Sequence, residues 1–187
     1  MMNIEVIEAK QEDYSTVENL VRFYIYELSG IMGWDCPENG LFGGCDELPE
    51  YWRTQNPLTD ANERWPAGDR GYPFLVRVDS RLAGFALIHQ FGNNPKVDYD
   101  VGQFFILRKY QRKGVGRFVA HHIFDKFCGN WEVLQMGDNK PAQKFWRKVI
   151  SEYTSGDYED STEHHAEWGD MVIQRFNNSR SQRKGIK

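Results

Sequence analysis

The sequence predicts a single mixed α/β domain, and three observations carry that prediction. Its 187 residues correspond to roughly one domain at about 150 residues per domain. Segments of strand periodicity and of helical periodicity interleave along it. Apolar residues make up 40% and charged residues 27%, the balance of a globular chain that buries a core without staples. No internal repeat or long linker divides it.

The elements follow in order. Asn3 to Ala9 alternates as a first strand, with Ile4 and Val6 apolar. Ser15 followed by Glu18 reads as a capping box opening a helix that carries Val17, Leu20, Val21, Tyr24 and Leu28, with Gly30 placed to close it. Residues 31–45 hold four glycines and a proline and predict a loop. A short helical stretch is expected around Leu48 to Thr54, and residues 55–71 read as irregular. Tyr72 to Val78 and Leu82 to Gln90 form a hairpin about Asp79-Ser80. A third strand covers residues 98–107 and ends in the continuous apolar run Phe104-Phe105-Ile106-Leu107, as expected for burial on both faces. A helix follows from about Gly114 or Gly116 to Phe127, then a strand from Trp131 to Met136. Pro141 opens another helix with Ala142, Phe145, Trp146 and Val149 on one side. Residues 168–176 make a last strand, with a partner strand expected near Tyr153. The domain is expected to span residues 1–176, with 177–187 a basic, disordered tail.

Several classes fall away. The three cysteines, Cys36, Cys45 and Cys128, cannot form a disulfide framework and lack metal-ligand spacing, which points to a reducing, cytoplasmic compartment and no metal. No apolar run approaches the roughly 20 residues of a membrane span. A net charge of −4 gives no general pull on nucleic acid or an anionic bilayer. A nucleic-acid reading would rest only on Arg180, Arg183, Lys184 and Lys187 in the tail, and the acidic body argues against it.

The placement of charge is more telling than its sum. Val101 to Phe124 holds five basic residues and no acid. Ile31 to Trp52 holds five acids, and Glu152 to Asp170 seven, without lysine or arginine. One block suits an anion and two suit a cation.

The anion site has a backbone rationale. Gln111-Arg112-Lys113-Gly114-Val115-Gly116 lies between a buried strand and an amphipathic helix. At such a junction loop amides and the helix N-terminus converge on an anion, and glycines allow close approach. A pyrophosphate fits. The P-loop pattern is not present, and Val119 stands where a dinucleotide fingerprint needs its third glycine.

These residues resemble a known family. The run Phe104-Phe105-Ile106-x-x-x-Tyr110-Gln111-x-Lys113-Gly114-Val115-Gly116 is similar to the acetyl-coenzyme A motif of the GNAT superfamily of N-acetyltransferases. Asn139-x-x-Ala142-x-x-Phe145-Trp146 resembles the family's downstream helix. The likeness covers about residues 4–176 and is specific between 100 and 146. It implies a strongly twisted mixed sheet of about six or seven strands, with helices on both faces and a splayed central parallel pair that receives the coenzyme. It implies a pyrophosphate held by Gln111, Arg112, Lys113, Gly114, Val115, Gly116 and Arg117. Phe104, Phe105 and Ile106 would run beside the pantetheine arm, one of their amides polarising the thioester carbonyl, and Asn139 and Trp146 would touch the coenzyme.

Acetyl transfer to an amine needs a base and donors for an oxyanion. Asp100 stands where several family members carry a glutamate and is the candidate base, with Asp98 as fallback; a solvated strand-edge acid is the plainer alternative. The family's tyrosine acid is Trp146 here, and an indole N–H is not a useful acid. Tyr153, another tyrosine or water would then protonate the thiolate, unless Phe145 and Trp146 simply fill the core.

The acidic blocks also carry Trp34, Tyr51, Trp52, Tyr153, Tyr158 and Trp168. Carboxylates beside aromatic faces suit a cationic amine. Trp34, Glu47 and Trp52 are the acceptor candidates, for a small-molecule or peptide amine, although charge runs are usually solvated surface. His164-His165 read as an exposed loop, and His121 and His122 as structural. The expected activity is a direct, ternary-complex N-acetyltransferase, monomeric or homodimeric. The alternative is a catalytically weak coenzyme-binding regulatory module.

Overall fold

The computed structural model describes residues 2–53, 65–66, 68–92, 94–166 and 168–179. Seven strands form one sheet in the order β1-β2-β3-β4-β5-β7-β6 among these residues. They are β1 (Ile4–Glu8), β2 (Arg70–Val78), β3 (Arg81–Gln90), β4 (Tyr99–Ile106), β5 (Asn130–Met136), β6 (Glu159–His165) and β7 (Gly169–Asn177). The helices are α1 (Tyr14–Met32), α2 (Val115–Lys126) and α3 (Lys140–Thr154). Neighbouring strands run antiparallel except β4 and β5.

Strand periodicity divides the core in two. Along β2 and β3, Leu75, Phe85 and Leu87 point to the face covered by α1 and a 3-10 turn at Leu48–Trp52. Phe74, Val76, Ala86 and Ile88 point to the face covered by α2 and α3. Phe105 joins the first layer and Ile106 the second, so the end of β4 is buried on both sides as its apolar run predicts.

The parallel pair separates almost at once. Only Tyr99↔Trp131 and Asp100↔Glu132 are in register between β4 and β5. Beyond them β4 stays with β3, and β5 stays with β7. A bulge accompanies the departure: Leu87 opposes Gln103 and Ile88 opposes Val101, which leaves Gly102 as the extra residue. Glycine is required there, because a Cβ would collide with the Tyr51 hydroxyl.

Several local expectations are corrected. Helix α1 does not open on a Ser15–Glu18 capping box. A 3-10 turn at Gln11–Asp13 precedes it, where the Asp13 carboxylate accepts the Lys10 N–H at 2.9 Å. Its end is Gly33, in the left-handed region at φ 71°, and Gly30 lies inside the helix. The strand expected near Tyr153 as partner of the last one is not there: Tyr153 lies in α3, and the partner is β6, whose Glu, Asp, Ser, Thr and His residues show no apolar alternation. His164 and His165 lie in β6 and not in a loop, though both are exposed. The expected tail begins too early. Asn177 ends β7, and Asn178 is buried, donating to Phe124 and Phe127 carbonyls and accepting the Gly129 N–H. The basic residues Arg180, Arg183, Lys184 and Lys187 lie outside the described residues, as does most of the expected irregular stretch after residue 53.

Candidate active site

The turn between β4 and α2 has the makings of an anion cradle. Arg112 takes φ 58° and Gly114 φ 83°, which turns the chain into α2. The N–H groups from Arg112 through Arg117 have no hydrogen-bond acceptor among the described residues. Three of them are the unsatisfied first-turn amides of a helix, where the dipole adds positive charge. Gly116 faces the Phe145 ring, and a Cβ there would stand 3.2 Å from it. Gln111 turns inward, donating from Nε2 to the Ile106 carbonyl at 2.7 Å.

A groove leads from this turn along β4. Phe104, Ile106, Gln111, Arg112, Gly116 and Phe145 are among its walls, and Tyr24 and Glu27 of α1 face it from the other side. The β4 edge beyond Asp100 has no strand partner on the β5 side among the described residues, so its backbone is open to an extended ligand. Asn139 is in part a structural residue: its Oδ1 caps α3 by accepting the Ala142 N–H at 3.2 Å. Its amide nitrogen remains for a ligand, and the residue lines the groove. Trp146 is buried, with its ring edge-on to Phe104 at 5.0 Å. It is both a core residue and part of the groove wall.

A second cavity opens where β4 and β5 separate. Glu47, Tyr51, His89, Asp100, Gln103 and Gln135 line it, with Trp168 and Met171 from the far end of the sheet. It contains no lysine or arginine among its described lining residues. Tyr24, Leu28, Phe104, Asn139, Ala142 and Trp146 border both spaces, so the two meet at β4.

Asp100 sits in this cavity with Oδ1 buried and without a hydrogen-bond partner. Burial pushes its carboxyl up to about 8, and the Glu132 and Glu47 carboxylates add to the rise. Beside it, burial lowers His89 below the usual imidazole value, although Asp69 opposes the change. The ring sits 2.8 Å from Asp69 through Nε2 and stacks on Trp65 at 3.9 Å. The Tyr51 phenol is held well above its ordinary value by burial and by Asp100.

Other expected residues stand elsewhere. Trp52 is buried in the first core layer, donating Nε1–H to the Lys10 carbonyl at 3.0 Å, and it lines neither cavity. Trp34 is exposed after α1, also outside both. Tyr153 is two turns beyond Trp146 and donates to Asp125 Oδ1 at 2.9 Å. Burial and that carboxylate push it up to about 12, and it lies outside both cavities. Asp98 binds the Asn130 backbone N–H at 2.7 Å and so holds the β5 start. Three acids of the second block are matched by arginines: Asp160 by Arg147, Glu163 by Arg175 and Glu152 by Arg117. Glu47 alone of the three acceptor candidates reaches the cavity.

A family model described as the acetyltransferase (GNAT) family matches residues 41–150, more than half of the chain. The chain belongs to the GNAT acetyltransferase family. Among solved structures, an acetyltransferase from Thermus thermophilus resembles this GNAT protein with a TM-score of 0.56 at 14% identity, over 94% of this chain and 97% of that one. The PaiA N-acetyltransferase of Thermoplasma acidophilum, in complex with coenzyme A, gives 0.55 at 14% identity over 93% and 99%. An N-acetyltransferase from Staphylococcus aureus Mu50 gives 0.54 at 14% identity over 94% and 98%. Likenesses at this identity establish a common fold. No curated protein sequence matches the chain.

Sequence reasoning missed the polar wall of this GNAT cavity. Gln103, Gln135 and the His89–Asp69 pair carry no motif, and they come from β3, β4, β5 and the segment before β2. Tyr24 read as one of several apolar positions on a helix, and only its place between the two spaces marks it.

Proposed function

We propose that this protein moves the acetyl group of acetyl-CoA to a primary, cationic amine by direct attack within a ternary complex. The observation that carries this is the meeting of two spaces at the β4–β5 splay: a groove opening from free backbone amides, and a cavity without lysine or arginine that holds Asp100.

The residues divide the work. The amides of Arg112 to Arg117, with the basic side chains among them, suit a diphosphate. The unpaired edge of β4 at Phe104 to Ile106 suits the pantetheine amides, and Asn139 and Trp146 face the same groove. Acetyl-CoA supplies an activated thioester carbonyl. Asp100 accepts the proton that the ammonium must lose before it attacks; its high proton affinity makes it a stronger base than an ordinary carboxylate. Glu47 at the cavity wall draws the cation in. Trp146 occupies the position where a tyrosine acid is expected, and Tyr24 borders both spaces with a phenol that burial pushes up to about 12. It keeps its proton at neutral pH and, in this reading, gives it to the departing thiolate.

The test is free-thiol release from acetyl-CoA across a panel of amines, with Asp100→Asn beside the parent chain. We expect kcat to fall about 10²- to 10³-fold, within the range of a lost general base, with acetyl-CoA affinity unchanged. An unchanged rate would remove Asp100 from the scheme. Tight acetyl-CoA binding without turnover on any amine would leave a coenzyme-binding module in place of an enzyme.

A further inference from the structure

Three buried side-chain oxygens of the residues lining the acceptor cavity have no partner among the described residues: Asp100 Oδ1, Gln103 Oε1 and Gln135 Oε1. The two glutamine oxygens are acceptors, and the Asp100 carboxyl becomes acceptor-only once it has lost its proton. Buried polar atoms are nearly always paired, so three such orphans around one cavity call for a ligand rich in donors. One carboxylate suffices to take a proton from an amine, and the two glutamines are left over. They stand on opposite sides of the splay, Gln103 on β4 and Gln135 on β5.

The orientation of Gln135 is not arbitrary. Asp160 is ionised, its carboxyl held below the usual range by Arg147, so it offers acceptors only. Gln174, fully buried, must therefore turn its amide nitrogen to Asp160, at 3.2 Å. That leaves Gln174 Oε1 to accept from Gln135 Nε2 at 2.9 Å. Gln135 Nε2 also donates to the Val133 carbonyl at 3.0 Å. Both of its protons are spent in the wall, and its oxygen is left as an obligate acceptor. A salt bridge on the outer strand β6 thus fixes which end of the Gln135 amide is left without a partner.

Resting on the acetyl-transfer reading, we infer that the acceptor carries a second hydrogen-bond donor besides the reacting amine, a hydroxyl or a second ammonium, read by Gln135 and Gln103. A monofunctional alkylamine leaves the glutamine oxygens unsatisfied once the cavity is closed by coenzyme. A site built around such groups rejects the analogue that lacks the donor far more strongly than a hydrophobic pocket rejects a missing methylene.

The experiment compares kcat/KM for three series with two to five carbons: alkylamines, amino alcohols and α,ω-diamines. At least one bifunctional amine should exceed its alkylamine by about 10²-fold or more. Gln135→Leu should reduce that ratio at least tenfold while acetyl-CoA affinity holds. Asp160→Asn, which frees the relay to turn over, should reduce it in part, an effect that a merely structural Asp160 would not produce. Should Gln135→Leu fail to fold, Gln103→Leu and the ranking by the parent chain carry the same test. If alkylamines turn over within about threefold of every bifunctional partner, the inference is overturned and acetyl transfer stands. If no amine turns over, both fall together. A ratio that is high in the parent chain but unmoved in Gln135→Leu and Gln103→Leu overturns the assignment to the glutamines.

Discussion

The groove proposed for the coenzyme and the cavity proposed for the acceptor share β4 but are made of different material. The groove begins in consecutive backbone amides, Arg112 to Arg117, supplied by one turn. The cavity is made of side chains drawn from α1, the 3-10 turn at Leu48–Trp52 and its flank, and β3, β4, β5, α3 and β7. The first needs a local conformation; the second needs seven separate segments to arrive together. A local conformation leaves a mark in the sequence, and a convergence of distant side chains leaves almost none.

Perturbations should separate the two regions. The largest effect is expected at Asp100 in the cavity. Its carboxyl titrates near 8, so kcat/KM should climb about tenfold per pH unit below that value and level off above it. The same shift has a stability consequence of opposite sense. The folded chain binds a proton that the unfolded chain releases near 4, so stability from this group is complete below about 4 and is lost as pH rises through 8. Thermal melts across that window should show the decline, and Asp100→Asn should flatten it while abolishing most turnover. A parent-chain profile that is flat between pH 5 and 8 would contradict the assignment.

The next effect belongs to the groove. Gly116→Val places side-chain carbons against the Phe145 ring, where even a Cβ would stand at 3.2 Å. Acetyl-CoA should bind about tenfold more weakly or worse, at an overpacking cost of about 1–3 kcal/mol in stability. Calorimetric titration with acetyl-CoA reads the first and denaturant unfolding the second. The pH at which Asp100 acts should not move, since the change lies on the other side of Phe104.

The smallest effects test the residues that fall outside both regions. Trp52→Phe removes the Nε1–H donated to Lys10, and Tyr153→Phe removes the bond to Asp125. Each should cost about 1 kcal/mol of stability and leave kcat and KM where they were. A tenfold fall in kcat for Tyr153→Phe would restore it as the acid and displace Tyr24.

Much of the fold was legible. The apolar, β-branched run at residues 72–78 and its answering run at 82–90 located β2 and β3, and Asp79-Ser80 located their turn, where both residues take positive φ. The Gln111–Gly116 run located the turn between β4 and α2, because glycines and a helix start are local facts. Strand β6 was not legible, since it is held by pairing with β7 and carries hardly an apolar side chain. Trp52 misled for the reverse reason: tryptophan beside acids looks like a cation site, yet its indole proton is committed to a backbone carbonyl 42 residues away in sequence. The second acidic block misled likewise, because its arginine partners lie outside it.

By itself the sequence determined the order of the strands and helices other than β6, the glycine turn between β4 and α2, and the presence of a carboxylate at Asp100. Only the tertiary structure decided that this carboxylate is buried enough to hold its proton to about 8. It alone decided that Glu47 reaches the cavity while Trp34 and Trp52 do not, and that Gln135 keeps an oxygen free. The reason is physical. Backbone conformation follows from neighbouring residues, whereas burial and hydrogen-bond direction depend on what distant segments bring to the same place.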